Sequence, residues 1–403
     1  MSKKAFIAVS VSLVVAICAY YWYQWRTINN FVIAVDHGDV LFGDLTTFYY
    51  PMAQNILSAK LPVPGYYYSA FFALLISPLG NVSLSQAKWI WGIAQVIFAG
   101  SLAIISGTKL LELSRSNKIF FIFLFLTSFP FLHNFKWGQI SALMTLCILA
   151  TMWLYKNEYS ILAGVLLAFA VSVKYYPIFF IVYPLLKKDY RFLIAFGLSA
   201  LTFFAVIPSI VLGPLEWINF EKAVSELIIK ARFAGDVNSQ YFGHVILRAF
   251  PIVDAPFRKK VFSIFLQGIG GLVLLANAGL IWKIEKEKVR DALIPSTGLL
   301  FLSIPFIIQT SWSHYFVYLP FCQMAALIEI VQLHKTGKNF KLALALTALS
   351  CMASSIFVFN LFPGWSEYNN MGMVFISNFF LLIAYHQILW GGNKKARNEI
   401  RAS

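Results

Sequence analysis

"YYYSAFFALLISPLG", Tyr66 to Gly80, is the stretch on which the fold turns. Read as a membrane span, it changes the side of every later loop. The clusters Lys109, Arg115 and Lys118, and Lys187, Lys188 and Arg191, then face outward. Read as an outer-face juxtamembrane or re-entrant helix, it puts both clusters inside, where short loops of membrane proteins carry their Lys and Arg. The same choice places inside Lys283, Lys286, Lys288 and Arg290, then Lys335, Lys338 and Lys341, and the tail Lys394, Lys395, Arg397 and Arg401. The charge pattern selects the second reading.

Composition says why the question is one of membrane topology at all. Of 403 residues, 59% are hydrophobic and 12% charged, with mean hydropathy +0.72. A soluble domain of this size has no room to hide that much apolar surface, so the chain reads as an all-α polytopic membrane protein. The short alternating segments of a membrane barrel are absent from the sequence. The formal charge of +15 belongs to cytoplasmic loops rather than to a nucleic-acid partner. Cys18, Cys147, Cys322 and Cys351 sit in apolar runs without metal-ligand spacing.

At the N-terminus, "MSKK" precedes an apolar run from Ala5 to Ala19, and "YYWYQW" (Tyr20–Trp25) follows as an aromatic belt. That order reads as a retained first span starting in the cytoplasm, not as a cleaved signal. Eleven more spans follow: Trp89–Gly107, Ile119–Leu132, Ile140–Tyr155, Ser160–Val173, Ile178–Leu186, Phe192–Leu212, Val261–Trp282, Ile294–Ile308, Tyr315–Val331, Leu342–Leu361 and Met371–Leu389. The expectation is one integral membrane domain over 1–403, with about 12 transmembrane helices and both termini cytoplasmic. Two long outer loops cover residues 24–88 and 213–260, and a basic inner tail covers 390–403.

This topology collects the unusual polar residues at one rim. The outer loops and turns hold "FGDLTTFYYPMAQNILSAKLP" (Phe42–Pro62), "HNFKWGQ" (His133–Gln139), "KYYP" (Lys174–Pro177), "QTSWSHY" (Gln309–Tyr315) and "FPGWSEYNN" (Phe362–Asn370). Convergence on one face points to a single site. Each residue also has a plain structural reading. Asp44 is either a helix N-cap or a working carboxylate. Asp36 and Asp39 in "VDHGDV" read as turn residues, and this short acidic stretch lacks a third metal ligand. Lys174 either snorkels to the interface or is a buried anion partner. His314, beside Trp312, is a belt residue or a functional one. Gln139 either caps a span or joins the site. Arg248 is a surface charge on an amphipathic helix unless it joins the site too.

The combination "GDLTTFYYPMAQNIL", "YYYSAFFALLISPLG", "KWGQISALMTLCIL", "LAGVLLAFAVSVKYYPIFFIVYPLLKKDYR", "DVNSQYFGHVILR" and "SWSHYFVYLP" resembles glycosyltransferase family 87 in order and spacing, from about Asp44 to Pro320. The "GQ" and "K-x-x-P" blocks carry most of the likeness. The resemblance implies a GT-C-like fold, with outer-face juxtamembrane helices and a catalytic acid after the first span. It departs at Tyr67-Tyr68-Ser69, where the family shows Tyr-Pro-Pro, and at His314-Tyr315, where the family often pairs histidines.

What the resemblance implies is a transferase that takes a hexose, mannose above all, from a polyprenyl-phosphate donor to a lipid or glycan acceptor, at the outer face of the cytoplasmic membrane. It implies Asp44 as general base, and Lys174, Arg248 and His314 as contacts of the donor phosphate. Tyr49, Tyr50, Tyr67, Tyr68, Gln139, Asn238 and Gln240 would meet the substrates. No metal and no cofactor are expected, since the lipid phosphate is itself the leaving group. A positioned carboxylate is worth roughly 10²–10⁴-fold as general base to a hydroxyl, and fixed cations suit the departing phosphate. One direct displacement inverts the anomeric carbon. The rival class is a transporter or flippase of lipid-linked sugars, which would show midplane charges and related halves; the sequence shows rim charges and no internal repeat.

The topology is checked by cysteine accessibility. A cysteine introduced at Asn55 or Asn238 should react with an impermeant thiol reagent in intact cells, and one at Lys338 should not. Labelling at Lys338 with protection at Asn55 would reverse the orientation.

Overall fold

The computed structural model describes residues 41–231, 236–250, 256–287 and 292–391. Within them every regular element is helical, and the only β pairings are two isolated bridges, Ser128 with Ser355 and Ser239 with Trp312. The expected first span, the Asp36 and Asp39 pair, and most of the basic tail lie outside the described residues. Chain contacts define two compact units. One comprises Met1–Leu126, Leu132–Ile178 and Asp189–Ala231. The other comprises Thr127–Phe131, Phe179–Lys188 and Arg232–Ser403.

Five described helices are long and apolar enough to cross a membrane: Leu84–Leu110, Tyr190–Leu212, Phe262–Lys286, Ser313–Lys335 and Met373–Trp390. The expectation of twelve such spans is therefore met only in part. Ser141–Lys156, Ser160–Val173, Tyr176–Leu186, Leu293–Ile307 and Lys341–Ala353 are shorter apolar helices. The breaks have local causes. Pro177 and Pro184 remove amide donors within Tyr176–Leu186. The expected span Ile119–Leu132 stops at Leu126, where Thr127 and Ser128 leave the helix, and Phe129 N–H donates to Ser354 O at 2.8 Å. Ile356 N–H donates back to Thr127 O at 2.8 Å, which also ends the expected span Leu342–Leu361. Non-helical backbone at such depth is tolerated when protein supplies the partners.

Tyr66–Gly80 forms a seven-residue helix, Ala70–Ile76, followed by a 3-10 turn, Ser77–Asn81. At 1.5 Å per residue a helix this short is far from the roughly 30 Å of hydrocarbon it would need to cross. Ser69 starts it, its hydroxyl accepting from Phe72 N–H at 3.2 Å, and Pro78 with Gly80 ends it.

In the first unit, Leu84–Ile104 opens with a capping box between Ser83 and Gln86. Exposed Ile93, Ile97 and Ile104 form one row on it, as Ile194, Leu198 and Leu201 do on Tyr190–Leu201. Such rows suit a lipid-facing surface. The helix Ser160–Val173 buries the small residues Ala163, Gly164 and Ala168 and packs on Tyr190–Leu201. A Cβ on Gly164 would sit 2.6 Å from Phe192 O, so the backbones meet as closely as glycine allows. In the second unit polar pairs join the helices. Gln323 Nε2 donates to Ser350 Oγ at 3.1 Å and Ser354 Oγ at 3.0 Å, and Asn277 Nδ2 donates to Ser303 Oγ at 2.8 Å. Lipid cannot satisfy these groups, so they hold the helices together.

Candidate functional site

The site in the first unit starts at a strained residue. Phe42 has φ 59°, a left-handed backbone that bulky residues rarely adopt. It is held there from several directions. Its N–H donates to Lys136 O at 2.8 Å, its carbonyl accepts Thr46 N–H at 3.0 Å, and its buried ring packs edge-on to Phe135. Two residues on, Asp44 opens the π-helical turn Leu45–Tyr49, closed by Tyr50 N–H to Leu45 O. π-turns of this kind are rare and are frequent at functional sites.

Asp44 is not an N-cap in use. Its own backbone is helical (φ −74°, ψ −30°), and its side chain accepts no capping hydrogen bond. That leaves the half-buried carboxylate without the structural duty that an acid at a helix start usually has.

Gly138 brings the second element in. Its φ of +65° and the approach of Phe42 and Trp91, 3.0 and 3.1 Å from where a Cβ would lie, leave room for glycine alone. Trp91 Nε1 donates to Gly138 O at 2.8 Å. The next residue, Gln139, is buried and does not cap a helix. Its backbone carbonyl accepts Gln95 Nε2 at 2.9 Å, while Gln95 Oε1 accepts Asn134 Nδ2 at 3.0 Å. Asn134 Oδ1 in turn accepts Ala142 N–H at 3.2 Å. The side chain of Gln139 is left for the site.

Its Oε1 accepts from Tyr68 Oη at 3.0 Å and from Tyr49 Oη at 3.2 Å, and the two hydroxyls are 2.8 Å apart. Lys174 reaches the same cluster. It ends the helix Ser160–Val173 in an extended conformation (φ −148°, ψ 131°), three residues before Pro177. Its ammonium donates to Tyr68 Oη at 3.3 Å and lies 4.9 Å from the Tyr68 ring centroid. Only 6% of Lys174 is exposed, so it does not snorkel to the interface.

The electrostatics follow from burial. Desolvation raises the Asp44 carboxyl to about 7, against the pull of Lys174, which favours the ionised form. Desolvation likewise lowers Lys174 well below the ordinary lysine range, while Asp44 opposes the shift. Burial pushes Tyr49 well above its usual range, and its neighbours Tyr68 and Asp44 push the same way, so it stays a neutral phenol. The unit therefore contains one carboxyl poised to take or give a proton near neutrality and one buried lysine whose charge is disfavoured by burial and favoured by Asp44.

The other expected residues divide. Tyr49 is fully buried, its ring against Tyr68, Phe72 and Trp91, so in this geometry it supports Tyr68 rather than offering a face to a sugar. Tyr50 gives its hydroxyl to Val82 O at 2.8 Å. Tyr67 is half-exposed beside Tyr68.

Arg248, His314, Asn238 and Gln240 belong to the second unit. Arg248 is no free surface charge: its guanidinium donates to Ser239 O at 2.8 Å, Asp236 O at 3.2 Å, and Asn369 O and Asn370 O at 3.4 Å. Gln240 is buried, donating to Asn369 O at 2.9 Å and accepting Phe375 N–H at 3.2 Å. Asn238 Oδ1 accepts Asn369 Nδ2 at 3.1 Å. His314 is buried between the rings of Trp312 and Tyr315, within the wholly buried turn Ser313–Tyr318, and is not an interfacial belt residue. Trp91, Gln95 and Asn134 carry no sequence signal of this role. Nothing in an apolar helix marks one glutamine as the residue that fixes another.

Comparison with curated proteins and with solved structures finds no match. The family model of glycosyltransferase family 87 matches residues 66–305, more than half of the chain. The matched stretch includes Tyr68, Gln139 and Lys174, while Asp44 and His314 fall outside it. The cluster around Lys174 thus lies largely within a recognised sequence pattern, and the chain belongs to glycosyltransferase family 87.

Proposed function

We propose that this glycosyltransferase moves a hexose, mannose in the reading its sequence favours, from a polyprenyl-phosphate donor to a hydroxyl of a lipid or glycan acceptor. The reaction takes place at the outer face of the cytoplasmic membrane. The observation that carries the proposal is the Asp44 carboxyl under the field of the buried Lys174 ammonium, beside the Tyr68 and Gln139 hydrogen bonds.

The step is a single displacement. The acceptor oxygen attacks the anomeric carbon and loses its proton to the Asp44 carboxylate. The bond from that carbon to the phosphate oxygen breaks, and polyprenyl phosphate departs with the electron pair and an added negative charge. Lys174 offsets that charge in a site where water does not screen it. A base whose carboxyl titrates near 7 is well matched to neutral pH. Attack opposite to the leaving group inverts the anomeric carbon, so a β-linked donor gives an α-linked product. Arg248 acts first as a strut, since its N–H groups hold backbone carbonyls of its own unit. For His314 a phosphate contact rests on the sequence resemblance.

Transfer from radiolabelled polyprenyl-phosphate mannose to a lipid acceptor by the purified protein in detergent tests the reading. Label appearing in the acceptor supports it. Labelled donor crossing the bilayer of vesicles that hold the reconstituted protein, without any transfer, would favour a flippase.

Two variants test the roles. Asp44→Asn keeps the size of the side chain and its capping ability but takes no proton at neutral pH. Turnover should fall by about 10²-fold or more, with donor binding nearly unchanged. Near-normal transfer would move the base elsewhere. Lys174→Met keeps the stem and removes the charge, so the donor KM should rise about tenfold or more with the fold intact. Wild-type turnover at limiting donor would remove Lys174 from the donor site.

A further inference from the structure

Tyr68 and Lys174 come from separate parts of the chain, and their contact depends on what holds those parts together. Ser69 and Ser172 make one tie, the Ser69 hydroxyl donating to Ser172 O. The other comes from the amphipathic helix Pro214–Lys230, which buries Phe220 and Val224 and leaves Leu215, Ile218 and Ile229 exposed. From this helix Glu221 Oε1 accepts Ala70 N–H at 2.9 Å, and Glu221 Oε2 accepts Tyr175 Oη at 3.1 Å. One carboxylate therefore clasps the residue two places after Tyr68 and the residue directly after Lys174. The adjacent Phe220 ring packs edge-on to Tyr66 at 6.2 Å, which seats the clasp from the Tyr68 side.

We propose that Glu221 is a positioning residue, which sets the separation of Tyr68 and Lys174 through Ala70 and Tyr175. The inference rests on the reading that Lys174 meets the donor phosphate. Two hydrogen bonds to a carboxylate are of the stronger, charge-assisted kind, and their removal loosens the hold of one segment on the other. Placement errors of this sort reach donor recognition because binding energy depends on where the cation stands. Burial raises the Glu221 carboxyl to about 7, while the hydrogen bonds from Ala70 and Tyr175 pull the other way and favour the ionised form. A glutamine fits the same place. Its carbonyl oxygen can accept Ala70 N–H while its amide donates to the Tyr175 oxygen, so geometry survives without charge or titration.

The test compares Glu221→Ala, Glu221→Gln and Tyr175→Phe. Donor KM and kcat are measured with polyprenyl-phosphate mannose, and hydrogen exchange is followed over residues 66–76 and 172–176 without substrate. Glu221→Ala should raise the donor KM about tenfold with kcat changed less than about threefold, and Glu221→Gln should recover most of that loss. Tyr175→Phe, which loses one of the two ties, should raise the donor KM about threefold. Exchange in both segments should quicken in Glu221→Ala and stay near wild type in Glu221→Gln. Wild-type donor KM and exchange in Glu221→Ala would overturn the inference. So would a Glu221→Gln variant as impaired in kcat as a base-deleted enzyme, since Glu221 would then carry protons. If Glu221→Ala does not fold, an unchanged donor KM in Tyr175→Phe overturns it instead. If the wild-type protein transfers no sugar, the reading of the site fails, and the exchange rates alone still decide whether Glu221 is the clasp.

Discussion

The structure of the first unit is organised around one buried ammonium. Lys174 has almost no access to water, and an isolated charge in that position is expensive. Its surroundings offset the cost by separate means: the Tyr68 hydroxyl, the Tyr68 ring face, and the field of Asp44. None of these is local to Lys174 in sequence. The chain must therefore bring together the turn after Phe42, the segment before Ala70, the loop at Gly138 and the end of the helix Ser160–Val173. Irregular backbone marks several of those junctions, including the left-handed Phe42 and Gly138 and the π-turn after Asp44.

Rigidity around the ammonium comes from side chains that touch no charge. Gln139 accepts both tyrosine hydroxyls only because its main chain is fixed by Gln95, and Gln95 is fixed by Asn134. Buried chains of this kind are worth more when every member is satisfied than the sum of their pairs, and they fail together. Apolar packing alone gives less direction here, because lipid is as good a neighbour for leucine as another helix is. Polar links and small-residue contacts such as Gly164 against Phe192 O therefore carry specificity in both units.

Several parts of this arrangement are legible in the sequence for identifiable reasons. The basic loops argued that Tyr66–Gly80 does not cross the membrane, and the short helix Ala70–Ile76 is what that reading needs. Lys174 stands out because a lysine between an apolar run and two tyrosines has few plain explanations. Of the expected spans, fewer are single membrane-length helices among the described residues, because hydropathy averages over breaks. It does not register the pairing of Ser128 with Ser355, nor the prolines that shorten Tyr176–Leu186. Arg248, Asn238 and Gln240 enter the expected site through the family resemblance. Their partners are backbone carbonyls, a backbone amide and Asn369, and pairing at such sequence distance leaves no local signal. Glu221 was hidden for the opposite reason, as an acid on an amphipathic helix, where solvated acids are ordinary.

In the proposed reaction Asp44 is the proton acceptor, tuned by burial. Its carboxyl is protonated below about 7 and ionised above, so a base role requires activity to be lost as pH falls through that value. The direct measurement is the pH dependence of kcat/KM for sugar transfer, recorded for the wild type and for the residual activity of Asp44→Asn. An acid limb centred near 7 is expected in the wild type and should be absent from the variant. A wild-type profile flat through neutrality down to about 4, the ordinary range of a carboxylate, would contradict it. So would a rate that rises as the pH falls.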